Sequence, residues 1–127
     1  MKLRFSASDE AFRVEIANWL RDNLCGEFES IRFRGGPGDE HSFVEERKAW
    51  ERKLGEAGWT CIGWPHDWGG RAASIEQQVV FNEEYARAGG PGRIGHIGET
   101  LMGPTLIAYG SEAQKAKYLP NIRSGDA

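Results

Sequence analysis

The stretch from Trp59 to Gly70, Trp-Thr-Cys-Ile-Gly-Trp-Pro-His-Asp-Trp-Gly-Gly, constrains this chain more than any other. It holds Trp59, Trp64 and Trp68, three of the chain's five tryptophans, a density that belongs to a packed segment rather than a solvated linker. Pro65 disfavours the helical region for Trp64, so the sequence predicts an extended crossing. Gly69 and Gly70 then allow a sharp turn at little steric cost. Helical patterns flank the stretch on both sides. The helices must therefore pack around a rigid aromatic crossing.

Ser8 is placed to cap a first helix, with Asp9 and Glu10 against its N-terminal dipole and Phe12, Ile16, Trp19, Leu20 and Leu24 on one stripe. Gly26 stops it, and Glu27 to His41, with Gly-Gly-Pro-Gly at 35–38, reads as an exposed loop. Ser42 and Glu45 form a capping box for a second helix with Phe43, Trp50, Leu54 and Ala57 inward, closed by a left-handed Gly58. Ser74 and Gln77 open a third, carrying Ile75, Val79, Phe81, Tyr85 and Ala86 to Gly89. Ile94, Ile97 and Leu101 mark a short fourth helix, and Pro104 opens a fifth through Leu106, Ile107 and Tyr109 to Gly110. Ser111 and Gln114 begin a last one that ends at Tyr118 and Leu119, before Pro120. Thr60 to Trp64 is the sole strand candidate. The pattern is all-α, an orthogonal or up-down bundle of about five to six helices.

At 127 residues, 39% hydrophobic and 28% charged, the chain is long enough for one domain, 1–127, with its own core. A net charge of -3 with interleaved signs offers nothing to a phosphate backbone, so no nucleic-acid partner is expected. No apolar run reaches membrane-spanning length, and Met-Lys-Leu-Arg-Phe-Ser at the start leads into no apolar signal region. The expected location is cytoplasmic. Cys25 and Cys61, without C-x-x-C spacing, read as small buried thiols.

Several constellations resemble functional motifs without their context. Gly90-Pro-Gly92-Arg-Ile-Gly95 matches G-x-G-x-x-G, but it follows a helix instead of a strand and reads as a turn. His41, His66 and His96 are scattered, so no metal site is expected. His66 beside Asp67 has no nucleophile placed by local context. Glu83 and Glu84, about 100° apart on a helix, cannot share a site; one faces solvent and the other pairs with an arginine such as Arg87. From Gly95 to Thr105 the glycines at 95, 98 and 103 thin an apolar segment. They either allow close helix contact or shape the wall of an elongated apolar cavity.

Four stretches in order resemble the N-terminal helical domain of the acyl-CoA dehydrogenase family. They are Gly-Trp-Pro-His-Asp-Trp-Gly-Gly at 63–70, Phe-Asn-Glu-Glu-Tyr-Ala-Arg-Ala-Gly at 81–89, Gly-Pro-Thr-Leu-Ile-Ala-Tyr-Gly-Ser-Glu-Ala-Gln-Lys at 103–115, and Tyr-Leu-Pro-Asn-Ile-Arg-Ser-Gly at 118–125. The resemblance spans nearly the whole chain but about the first third of a family enzyme. It implies a FAD-dependent oxidoreductase of lipid metabolism acting on an acyl-CoA substrate, assembled as a homo- or hetero-oligomer with dehydrogenase subunits. It implies, too, that the middle β-domain and C-terminal helical domain, with the flavin site and the catalytic glutamate, follow the point where this sequence stops at Gly125-Asp126-Ala127. No catalytic, cofactor-binding or metal residue is then expected here, and the chain alone should be inactive. Carried over residue by residue, the acyl-pocket wall falls on His96, Thr100, Met102, Gly103 and Thr105. A different class of function is a non-catalytic helical interaction module or partner subunit derived from that family, docking through the apolar surface that in the family meets the β-domain.

Overall fold

The computed structural model describes residues 4–125; readings that involve residues 1–3 or 126–127 lie outside them. Among the described residues every regular element is helical, as the capping and periodicity predict. The α-helices are α1 Ala7–Asn23, α2 Val44–Glu56, α3 Ile75–Arg87, α4 Gly103–Tyr109 and α5 Glu112–Ser124. Between them lie 3₁₀ turns at Gly26–Ile31 and His66–Trp68 and a π turn at Gly98–Met102. Contacts divide the chain into two compact units.

One unit joins the residues up to Phe43 with Ala73–Gly92. The cap of α1 is Ser6, not Ser8. The Ser6 hydroxyl accepts the Asp9 N–H at 3.1 Å while the Asp9 carboxylate takes the Ser6 N–H at 2.9 Å, a reciprocal box that needs an acceptor three residues on. Ile16, Leu20 and Leu24 are buried, and α1 packs on α3. The inward residues of α3 are Val80, Phe81 and Glu84, whereas Ile75 is 71% exposed and Ala86 faces solvent. The stripe is thus rotated from the one read off the apolar residues alone, because a buried carboxylate belongs to it. Glu84 is held by Arg87 at 2.8 Å and Arg13 at 3.8 Å, while Glu83 stays exposed.

The segment after α1 is less exposed than its sequence suggests, since Gly26–Ile31 buries Phe28 and Ile31. Beyond it the two Gly-Gly-Pro-Gly stretches meet. The Phe33 N–H donates to Gly89 O at 2.8 Å and the Gly92 N–H to Arg34 O at 2.9 Å. A Cβ on Gly92 would stand 2.0 Å from Gly35 O, so no other residue fits there. Asp39 ties the loop, taking Arg34 Nε at 2.8 Å, the Gly35 N–H at 2.9 Å and the Ser42 hydroxyl. These donors, Arg34 first, hold its carboxyl well below the usual carboxylate range.

The other unit joins Val44–Ala72 with the residues from Arg93 on. Its tryptophan crossing does not run extended. The Trp64 N–H donates to Cys61 O at 3.0 Å, with Cys61 at φ +52°, so the chain doubles back. The fold-back is closed by the Arg71 N–H on Ile62 O and the Ala72 N–H on Trp64 O. Gly70 permits it, since a Cβ there would lie 2.0 Å from Trp64 O. Arg71 then stacks 3.6 Å over Trp59 and donates to the Gly58 and Ala57 carbonyls, capping the end of α2 where Gly58 sits at φ +78°. Cys61, Trp64 and Leu119 form a core flanked by Trp68, Leu106, Ile107 and Ile122. That packing carries α5 through Pro120 to Ser124, past the end that the proline predicts.

Helices α2 and α5 approach backbone to backbone at Gly55, where a Cβ would lie 2.6 Å from Ser124 O. Gly55→Ala is expected to cost about 1–3 kcal/mol in chemical denaturation, since backbone must shift to admit the methyl. An unchanged denaturation midpoint would show that the two helices are not in contact at this point.

Candidate functional site

In the second unit the buried Glu51 and the half-buried Glu99 organise the segment singled out as a possible wall. Glu51, 3% exposed on α2, binds Arg93 Nε at 3.0 Å. The same carboxylate accepts the backbone N–H groups of Ile94 and Gly95. Arg93 reaches on to Glu99 at 2.6 Å, and Glu99 also accepts the Cys61 N–H at 2.7 Å. Two carboxylates therefore share the Arg93 guanidinium, and the N–H groups of Ile94, Gly95 and Cys61 donate to them as well.

Glu99 lies in the π turn, and its backbone explains why that turn exists. Gly103 returns its N–H five residues, to Gly98 O, and so skips the Glu99 carbonyl that an α-helix would use. Trp64 Nε1–H donates to the skipped carbonyl at 3.1 Å. Pro104 supplies the cause: its ring clashes with the carbonyl four residues back, Thr100 O, and it has no N–H to give. Gly103 lets the helix settle on the indole, since a Cβ there would meet Trp64 Cζ2 at 2.1 Å. The expected fourth and fifth helices are consequently one run with a π turn where it meets α4.

The outward side of this run is apolar. Ile97, Leu101, Met102 and Tyr109 are 69%, 65%, 55% and 88% exposed. Thr100 and Thr105 are exposed too, but their hydroxyls donate to His96 O and Leu101 O, each at 2.7 Å. With hydroxyls returned to the helix, their methyls are what remains for a ligand. Of the five candidate wall residues, His96, Thr100, Met102 and Thr105 lie on the exposed side, while Gly103 is buried against Trp64. Glu51, Arg93 and Glu99 escaped the sequence reading. The available signal was Glu51 itself, an acidic residue at helical spacing with Leu54 and with Arg47, on the stripe that carries Trp50.

The glycine-rich turn leaves little for a flavin's phosphates. The glycine-rich Gly90–Gly95 turn, the one stretch with a phosphate-binding look, has its Ile94 and Gly95 N–H groups taken by Glu51. Among the described residues no buried side-chain nitrogen or oxygen lacks a hydrogen-bond partner. Nor does any group of three or more His, Cys, Asp or Glu stand where it could hold a metal ion. The first unit has a cavity of about 360 Å³ lined by Leu20, Leu24, Arg32, Glu84 and Arg87 among others. Its buried carboxylate and Arg87 pair with each other, and Arg32 is bound to Ala88 O and Glu29. Charge recognition there is already spent internally.

Burial, and then the nearby Glu99 carboxylate, push the Cys61 thiol up to about 12, so it stays protonated and inert at neutral pH. Cys25 is exposed, against the sequence reading.

A family profile described as "Acyl-CoA dehydrogenase, N-terminal domain" matches residues 6–126. The chain is 52% identical over 114 residues to acyl-CoA dehydrogenase IpdE1 of Mycobacterium tuberculosis, a match that covers 90% of this chain and 30% of that protein. Among solved structures it is similar to the ChsE4-ChsE5 complex from Mycobacterium tuberculosis, with 28% identity and a TM-score of 0.75 over 99% of this chain and 30% of that one. It is similar also to the Tcur3481-Tcur3483 steroid ACAD, with 36% identity and a TM-score of 0.77 over 99% of this chain and 31% of the other. The chain thus spans less than a third of the length of these relatives. Among the described residues no helix is long and apolar enough to cross a membrane.

A thiol reagent is expected to modify Cys25 in the native chain and to spare Cys61 until denaturant is added. Equal labelling rates by mass spectrometry would overturn the burial of Cys61.

Proposed function

The chain belongs to the acyl-CoA dehydrogenase family, and from that premise we propose that it is the N-terminal helical domain of a cytoplasmic, FAD-dependent enzyme that dehydrogenates an acyl-CoA thioester between its α and β carbons. The observation that carries this reading is the outward apolar face of residues 96–109, with Ile97, Leu101, Met102 and Tyr109 exposed together. Exposed apolar area on this scale marks a surface that meets another apolar body. A wall of this kind holds an acyl group by excluding water, at about 25 cal/mol per Å² of apolar surface removed from solvent. Its residues are His96, Thr100, Met102 and Thr105, with Gly103 setting the closeness of the helix to Trp64 from behind. Flavin binding and the proton-abstracting base belong, in this reading, to parts of the enzyme outside these residues.

Two further features follow from the relatives. ChsE4-ChsE5 and Tcur3481-Tcur3483 each pair two proteins, and the second is named a steroid ACAD. On that basis the enzyme assembles with an unlike subunit, and its acyl group is a bulky, steroid-type one.

In the flavin-loaded enzyme that contains this chain, Met102→Glu is expected to raise the KM for acyl-CoA at least about tenfold with a smaller change in kcat, because it places a charge against the acyl group. An unchanged KM would remove Met102 from the wall. Loss of assembly in place of affinity would give the face to a protein partner, as an interaction module requires. Native mass spectrometry of the enzyme purified through this chain is expected to find two different subunits; a single species would refute the unlike-subunit assembly.

A further inference from the structure

The π turn does more than connect two pieces of helix. Across it the next residue on the same face lies five positions on, not four. Ile97 therefore lines up with Met102, and from there with Thr105 and Tyr109, three and seven residues further; all four are exposed. In a plain α-helix Ile97 would line up with Leu101, Pro104 and Ala108. One inserted residue thus turns everything beyond it by about 100° relative to what precedes it.

Two devices hold this register. Pro104 forces the Thr100 carbonyl aside, and Trp64 meets the skipped Glu99 carbonyl at 3.1 Å. The Glu99 side chain is clamped independently, by Arg93 at 2.6 Å and the Cys61 N–H at 2.7 Å. Glu51 fixes that arginine from the other side at 3.0 Å. A surface turn needs no such anchoring. A π turn with a largely inward ionic clamp behind it, anchored on the buried Glu51, and apolar side chains in front has the construction of a preset contour.

We propose that Glu99 is a positioning residue whose clamp, together with Pro104, keeps the π turn in place and thereby selects the acyl group by presenting Met102 instead of Leu101 in line with Ile97. Glu99 does not touch the substrate. It acts through the register of the helix on which it sits. This inference rests on the reading of residues 96–109 as an acyl-pocket wall.

The test uses the flavin-loaded enzyme and two substrates, octanoyl-CoA and a CoA thioester of a steroid side-chain acid. Glu99→Gln and Pro104→Ala are each expected to change the ratio of the two kcat/KM values at least about tenfold, through KM more than kcat. A merely structural role would lower the melting temperature and depress both substrates alike. The sharper readout is an exchange of roles. In the native background Met102→Ala shifts the ratio more than Leu101→Ala does; in the Pro104→Ala background the order reverses. Pro104 is exposed, so this arm survives even where Glu99→Gln fails to fold. The same order in both backgrounds overturns the positioning role while leaving the wall intact. If neither alanine variant alters any KM in either background, the wall reading itself falls, and the inference with it.

Discussion

Two carboxylates, one buried and one half-buried, that share one guanidinium set the geometry on which the second unit depends. Glu51 and Glu99 come from distant parts of the sequence, and Arg93 stands between them at 3.0 and 2.6 Å. A buried charge is tolerated only when paired and hydrogen-bonded, and one arginine cannot neutralise two acids. The remaining charge is met by backbone: the N–H groups of Ile94, Gly95 and Cys61 all point to these oxygens. The network therefore fixes three lengths of main chain at once, namely α2, the tryptophan crossing and the entry to the π turn. Removing one acid would strand the donors gathered around it.

Trp64 works on the same segment by different means. Its ring fills the core with Cys61 and Leu119, its indole N–H satisfies a carbonyl that the helix has abandoned, and its face lies where Gly103 has no side chain. Packing, hydrogen bonding and steric absence thus meet on one residue. The helix beyond it is pressed close from behind, which leaves its larger apolar side chains on the other side. The threonines complete the effect by returning their hydroxyls to the helix. An apolar surface is made from residues that a composition count would call mixed.

The first unit shows the same economy in its loops. The Gly-Gly-Pro-Gly stretches at 35–38 and 89–92 are similar because they touch, with Gly92 against Gly35 O, and not because the chain repeats itself. Asp39 then gathers donors from Arg34, Gly35 and Ser42 into one half-buried knot. Order in this loop comes from local hydrogen bonding rather than burial.

The sequence alone determined what is local: all-helical character, the capping boxes at Ser74 and Ser111, the left-handed Gly58, the pairing of Glu84 with Arg87, and the family resemblance carried by four ordered stretches. These depend on neighbours three or four residues away, so periodicity and turn chemistry expose them. Tertiary structure alone decided the rest. Pro120 does not end α5, because Leu119 and Ile122 pack on either side of it. Trp64 turns back instead of running extended, because Gly70 admits its carbonyl. The rotated face of α3 follows from a glutamate that Arg87 on its own helix and Arg13 from a distant one hold inside together. Glu51, Arg93 and Glu99 are separated by up to 48 positions in the chain (99 minus 51), and no spacing rule links them. Pro104 disposes its own helix to a π turn, but the skipped carbonyl is met by Trp64, and a residue's neighbours in sequence do not encode which carbonyl an indole from another segment will reach.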